Sequence, residues 1–361
     1  MITKKNEFTS GGFLQFSPYI IFLATYISLY YYTIHTQNTY HSSSIIIVGL
    51  PLIAAFTAII YACFTYKESL NINKKIETFF SGVADIHAIN SYFDIICITI
   101  FNYMLAKTNG VLIAVTLSLL YIQISWIMPF LFLLASIFSI IIPSLPAVII
   151  IFMPISYGIA QSLEINCAFM AATIISGALF GSHVSLYFNN FKLSKPINFN
   201  NVSYNDFSII ITAMIITLCI LSQYQCTELM NTTMYANLKT TLTIQNYIKI
   251  IPYFTLLLGS VLQIPLIVNL IIGSCIACIT EIMLHKILFL DAITTIFHGF
   301  YKETIIINVL FLHMLIAGLT KIIKYNGGFN YIIYQLKLKN NQSSSNAQLL
   351  IILITILTNI L

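Results

Sequence analysis

Mostly apolar runs separated by short polar connections set the pattern of this chain. The runs fall at 17–34, 44–65, 91–106, 109–124, 126–142, 146–161, 165–181, 207–223, 249–263, 264–284 and 304–323, with an incomplete one at 348–361. The polar connections are 35–43, 67–90, 190–206, 224–248, 285–303 and 324–347. A bilayer core is about 30 Å thick, so about 20 apolar residues in a helix cross it. The runs do not alternate apolar with polar in short segments, as the strands of a membrane barrel would. The pattern predicts an all-α polytopic membrane protein with about 10–12 hydrophobic segments.

Composition agrees with that pattern. Only 7% of the residues are charged and 58% are hydrophobic, whereas a soluble domain carries about 25% charged residues. The net charge of +5 comes entirely from lysine, because the chain contains no arginine. The lysines stand singly or in pairs between apolar runs, which marks them as topology signals and leaves no basic tract for a nucleic acid. Lacking arginine, the chain also has no planar fork for clamping a carboxylate or phosphate. The seven cysteines are scattered, mostly inside apolar runs, and the Cys275 and Cys278 pair has no second pair beside it. They read as small core residues, so no cofactor and no resident metal is expected. Nor is there a phosphate loop, a His-x-x-x-His pair or a nucleophile elbow, and no enzyme activity is expected.

Lys4 and Lys5 precede the first run by a polar stretch, which is not the layout of a cleavable signal. Lys67, Lys74 and Lys75 follow the second run, while the intervening "HTQNTYHSS" has no lysine. The positive-inside rule therefore places the N-terminus in the cytoplasm of a cell inner (plasma) membrane. Lys321, Lys324, Lys337 and Lys339 cluster toward the other end. Keeping that cluster cytoplasmic requires 249–284 to be two segments that turn near Gln263 and Pro265.

A weak repeat runs through the same regions. "FFSGVADIHAI" at 79–89 precedes a span and then Asn109-Gly110; "IFHGFYKETII" at 296–306 precedes a span and then Asn326-Gly327. With the topology above, the two copies have opposite orientation, as in the inverted repeats of secondary transporters. The second copy has no counterpart of the chain beyond about residue 144 of the first.

The most informative stretch is "ISGALFGSHVSLYFNN" at 175–190. Small and polar residues inside an apolar run admit two explanations. Either a broken, re-entrant helix offers carbonyls and hydroxyls to a cation, or two helices approach closely across their small residues. On the first explanation the binding residues are Ser176, Gly177, Gly181, Ser182, Ser185, Asn189 and Asn190, faced by Ser139 and Ser144 of the "SIIIPSLPAV" stretch.

At these residues the chain resembles the NhaC-type sodium/proton antiporters of the wider ion-transporter superfamily. The family pattern is close to Ser-Gly-Ala-x-Phe-Gly-Asp-x-x-Ser-Pro-x-Ser-Asp, and Ser176, Gly177, Ala178, Phe180, Gly181 and Ser185 match it. "FMPISYGIAQSLEINCAFMAA", "GVADIHAINSYFDIICITIFNYMLAKTNGVLIAVTL" and the 299–339 region are similar to the family as well. Ser182 and Asn189 stand where the family has aspartates, and Leu186 stands for the proline. Neither replacement can carry an exchangeable carboxyl proton. His183 and Asp94 are then the proton-coupling candidates, the first as an imidazole beside the lost aspartate position and the second as an intramembrane carboxylate.

The resemblance implies sodium/proton antiport by alternating access, with the lipid bilayer, Na+ and H+ as partners and a homo-oligomer compatible. Two alternatives stay open: a degenerate, truncated member that transports nothing, and an exchanger of small organic anions on a related fold. The expected organisation is a cytoplasmic tail at 1–16 and membrane segments with the first repeat at 17–223. A polar extracytoplasmic loop at 224–248 and an incomplete second repeat at 249–361 complete it.

Overall fold

A computed structural model describes residues 13–37, 44–64, 72–142, 144–193, 204–223, 244–285, 294 and 304–329. The 348–361 run and most of the 224–248 loop lie outside the described residues. Those described are helical throughout, with no strand among them. The helices are α1 Ser17–Gln37, α2 Ser44–Phe64, α3 Ile72–Val83, α4 Ile86–Lys107, α5 Gly110–Tyr121, α6 Ile127–Ile141 and α7 Leu145–Ser162. They continue with α8 Cys167–Leu193, α9 Tyr204–Gln223, the short α10 Ile244–Ile248, α11 Ile251–Val261, α12 Leu266–His285 and α13 Thr304–Tyr325. Six described segments are long and apolar enough to cross a membrane: Ile86–Lys107, Ile124–Ile141, Leu145–Ser162, Cys167–Ser185, Leu266–Leu284 and Ile307–Tyr325. The protein is therefore an all-α, multi-pass membrane protein.

The chain divides into two compact units, residues 1–92 with 304–361, and residues 93–303. In the first unit α2 presents Ala54, Ala55, Ala58 and Ala62, all fully buried, to Tyr19 and Phe22 of α1 and to Leu315 and Leu319 of α13. A face without bulk lets both neighbours come close, which is how helices associate where no hydrophobic drive separates protein from lipid. The Tyr19 and Thr320 hydroxyls hydrogen-bond at 2.7 Å across that core. Amphipathic α3 packs on α13 through the same device: the Phe79 ring lies over Gly318, and Gly82 sits against the backbone at Ala317 and the Lys321 stem. Lys75 Nζ donates to the Cys63 carbonyl at 2.7 Å, near the C-terminus of α2.

α4 starts earlier than its apolar run. Asp85 precedes it, and its Oδ1 accepts the His87 N–H at 3.1 Å, which satisfies one of the free amides of the first turn. Asp85 Oδ2 also pairs with Lys321 Nζ at 3.5 Å. The His87 amide, aided by Lys321, holds the Asp85 carboxyl below its ordinary range. A lowered carboxyl contributes stability that is present above its unfolded value, about 3.9, and is lost as pH falls through the folded value. We expect a small acid-side fall in thermal midpoint that Asp85→Asn removes, since the amide still caps the helix but does not titrate. Melting curves from about pH 6 down to about pH 3 read this directly; the same acid limb in the variant would remove Asp85 as its source.

In the second unit three tight connections join neighbouring helices. Asn109 (φ 56°), Glu164 (φ 54°) and Gln263 (φ 60°) each take the left-handed conformation that ends a helix. After α7, the Ile165 N–H reaches the Ala160 carbonyl at 2.9 Å, and after α11 the Ile264 N–H reaches Gly259 at 2.9 Å. The turn expected near Gln263 and Pro265 is thus present, and 249–284 forms two helices. α5 has 12 residues and α11 has 11, lengths of roughly 16–18 Å that cannot cross a core of about 30 Å. The 109–124 run therefore forms a helix too short to span.

Two helices of the regions read as a repeat have the same length, while 296–303 and 330–361 lie outside the described residues. α4 and α13 each have 22 residues, and the second residue past each end, Asn109 and Gly327 (φ 81°), is left-handed. The structural match is one residue longer than the spacing of the two Asn-Gly pairs.

Candidate functional site

The 175–190 stretch lies wholly inside α8, which runs without interruption from Cys167 to Leu193. Of the two explanations, the broken helix is not found within this stretch. Its glycines form a Gly-x-x-x-Gly face, Gly177 and Gly181, set against α6. A Cβ on Gly177 would lie 2.5 Å from the Phe132 carbonyl oxygen and 3.0 Å from the Ala135 Cβ. One on Gly181 would strike the Ser136 carbonyl oxygen and come within 2.8 Å of the Ser139 Cβ. Small residues here bring two backbones together. Buried Ser139 completes the junction by donating from Oγ to the Ala178 carbonyl at 2.6 Å.

The other expected binding residues lie elsewhere on α8 and at the start of α7. Ser176 donates to the Thr173 carbonyl at 3.0 Å, and Ser182 to the Leu179 carbonyl at 2.8 Å. Both hydroxyls serve their own helix, as serines in apolar helices commonly do. Ser185 is half-buried and His183 exposed. Asn189 and Asn190 belong to the last turns of α8, with side chains outside the described residues. Ser144 is the N-cap of α7, with no capping bond from its side chain. The structure thus brings Ser139 to the α8 glycines.

Asp94 stands differently. Because α4 begins at Ile86, the carboxylate lies eight residues into a 22-residue helix, about 12 Å from its start at 1.5 Å per residue. It is not at a helix end, where the apolar run alone would put it. Asp94 shares a stripe with Ile98, Phe101 and Leu105, all fully buried, since residues four, seven and eleven apart lie on one helix face. The side chain is half-buried and has no ion-pair partner among the described residues. Phe101 packs edge-on against Tyr253 of α11, with ring centroids 6.1 Å apart.

One further residue of α4 was not singled out by its sequence. Asn102 donates from Nδ2 to the Ile150 carbonyl of α7 at 2.6 Å. His313, by contrast, is half-buried on α13 with its ring edge-on to Tyr92. Cys275 is exposed and Cys278 buried on α12, and no cluster of metal-ligating side chains occurs among the described residues.

The second unit also has a cleft of about 430 Å³ between α5, α6, α7 and α11, lined by residues such as Leu117, Phe130, Phe138, Phe152, Phe254 and Leu257. Its walls are mostly apolar, with Ser118, Tyr121 and Tyr253 among them, so it suits an apolar chain better than an ion. Asp94 and Asn102 of α4 are not among the residues that line it. No protein-family model, curated protein or solved structure matches this chain.

Proposed function

We propose that the protein is a secondary transporter that exchanges sodium for protons by alternating access, with Asp94 as the group that alternates between proton and cation. The observation that carries this is the depth of Asp94: a carboxylate about 12 Å into a spanning helix, on its core-facing stripe and without an ion-pair partner among the described residues. Ionisable groups at such positions are costly in lipid and mark ion pathways. The two short helices, α5 and α11, support the same reading, because partial-length helices joined by tight turns recur at transporter binding sites. So do the matched α4 and α13, and the resemblance of 175–190 to the NhaC-type antiporters. The proposal keeps the N-terminus in the cytoplasm of the inner membrane, on the lysine distribution.

A second reading, a scaffold that no longer transports, is favoured by one observation. The serines and glycines expected to bind the ion are engaged in helix packing and backbone hydrogen bonds. Everted vesicles from cells lacking their own antiporters separate the two. Sodium should collapse a preformed pH gradient when the protein is present and leave it intact with empty vector. A flat trace with the protein present in the membrane favours the inactive scaffold.

A further inference from the structure

Pro154 lies within α7 and has no N–H, so the carbonyl of Ile150, four residues earlier, has no helical donor. Asn102 of α4 supplies one through Nδ2. That bond fixes the amide, because a carbonyl can accept only from its NH2 end. Oδ1 is consequently the end not used by α7. It is shielded from solvent and has no hydrogen-bond partner among the described residues. An acceptor in that state is unfavourable, and native proteins normally satisfy such atoms with a donor, a water or an ion.

We propose that Asn102 Oδ1 is a ligand of the transported monovalent cation. This rests on the transporter reading above and assigns a binding residue to it. The ligand at hand is a neutral amide oxygen, Asn102 Oδ1. Divalent ions favour several carboxylates, and none converge here among the described residues. Neutral oxygens therefore select a singly charged ion. Asp94 lies eight residues earlier on the same helix, about 12 Å along its axis. It is the station where cation and proton alternate, so Asn102 is a second ligand position on the same ion path.

The test uses the purified full-length protein in detergent and needs no transport. Thermal midpoints are measured while sodium chloride replaces choline chloride at constant ionic strength. A ligand that binds only the folded state raises the midpoint, so the wild type should gain stability with sodium. Asn102→Ala alone would strand the Ile150 carbonyl. The informative variant is Asn102→Ala with Pro154→Ala, in which residue 154 regains the N–H that the carbonyl lacks. It should fold and need roughly tenfold more sodium or higher, the cost of one lost ion contact. Pro154→Ala alone should keep its sodium response. Asn102→Asp with Pro154→Ala, which keeps an oxygen, adds charge and leaves the residue 154 N–H to serve the Ile150 carbonyl, should need less sodium.

Sodium dependence unchanged in both Asn102 variants would mean that Oδ1 holds only a water, and overturns the proposal. A wild type that gains nothing from sodium overturns it as well. If vesicles nevertheless show sodium-driven proton movement, only this inference falls; if they are also flat, the transporter reading falls with it.

Discussion

Replacing Gly181 with leucine should leave little folded protein in the membrane. The obstacle to a side chain there is backbone: the Ser136 carbonyl oxygen, with the Ser139 Cβ beside it. Neither can swing away as the tip of a flexible side chain could. The helices α6 and α8 would have to separate, and with them would go the 2.6 Å bond from Ser139 Oγ to the Ala178 carbonyl. Overpacking a tight core typically costs about 1–3 kcal/mol and sometimes more, and breaking the serine bond adds about 1 kcal/mol. Gly177→Ala should be milder, since it adds one methyl facing the Phe132 carbonyl and Ala135. Size-exclusion profiles of detergent extracts, followed by melting curves, give the comparison. A Gly181→Leu protein with the wild-type profile and midpoint would mean that α6 and α8 do not meet at this face.

The second large effect is functional. In Asp94→Asn, addition of sodium to weakly buffered, purified protein should release no protons, whereas the wild type should release them. The amide keeps an oxygen that can meet a cation but has no proton to exchange. It is also neutral, so the helix α4 carries no burial penalty for a charge and should fold at least as well. Asp94→Glu, which keeps the titrating group, should retain part of the release. Proton release from Asp94→Asn equal to the wild type would place the coupling on another group, with His183 and His313 the next to replace.

Much of the architecture was legible because it depends on local or compositional signals. The lysine distribution required a turn near Gln263, and Gln263 occupies it in the left-handed conformation. Asp85 is a capping residue two positions before His87, and reading it as such would have started α4 at Ile86 and set Asp94 deep. The apolar run alone starts later, because His87 and Asn90 interrupt it. Amphipathic α3 was hidden inside the polar 67–90 connection for a similar reason: half its residues face away from α13.

The α8 stretch was ambiguous for a different reason. Gly177 and Gly181 fit either a broken helix or a close contact, and what decides between them is α6, some forty residues away in sequence. Spacing within one helix cannot report what packs on it. Asn102 escaped notice because its meaning depends on Pro154, through a bond that spans 48 residues. An asparagine in an apolar run is unremarked until the carbonyl that a proline leaves without a donor is found opposite.

The most direct test sets Asp94→Asn beside Ser182→Ala in everted vesicles, with membrane levels matched. If exchange is run from α4 and the α8 motif is packing, Ser182→Ala should collapse the pH gradient with sodium as the wild type does, and Asp94→Asn should leave it intact. The opposite pattern, Asp94→Asn active and Ser182→Ala flat, would contradict that assignment and return the ion to α8.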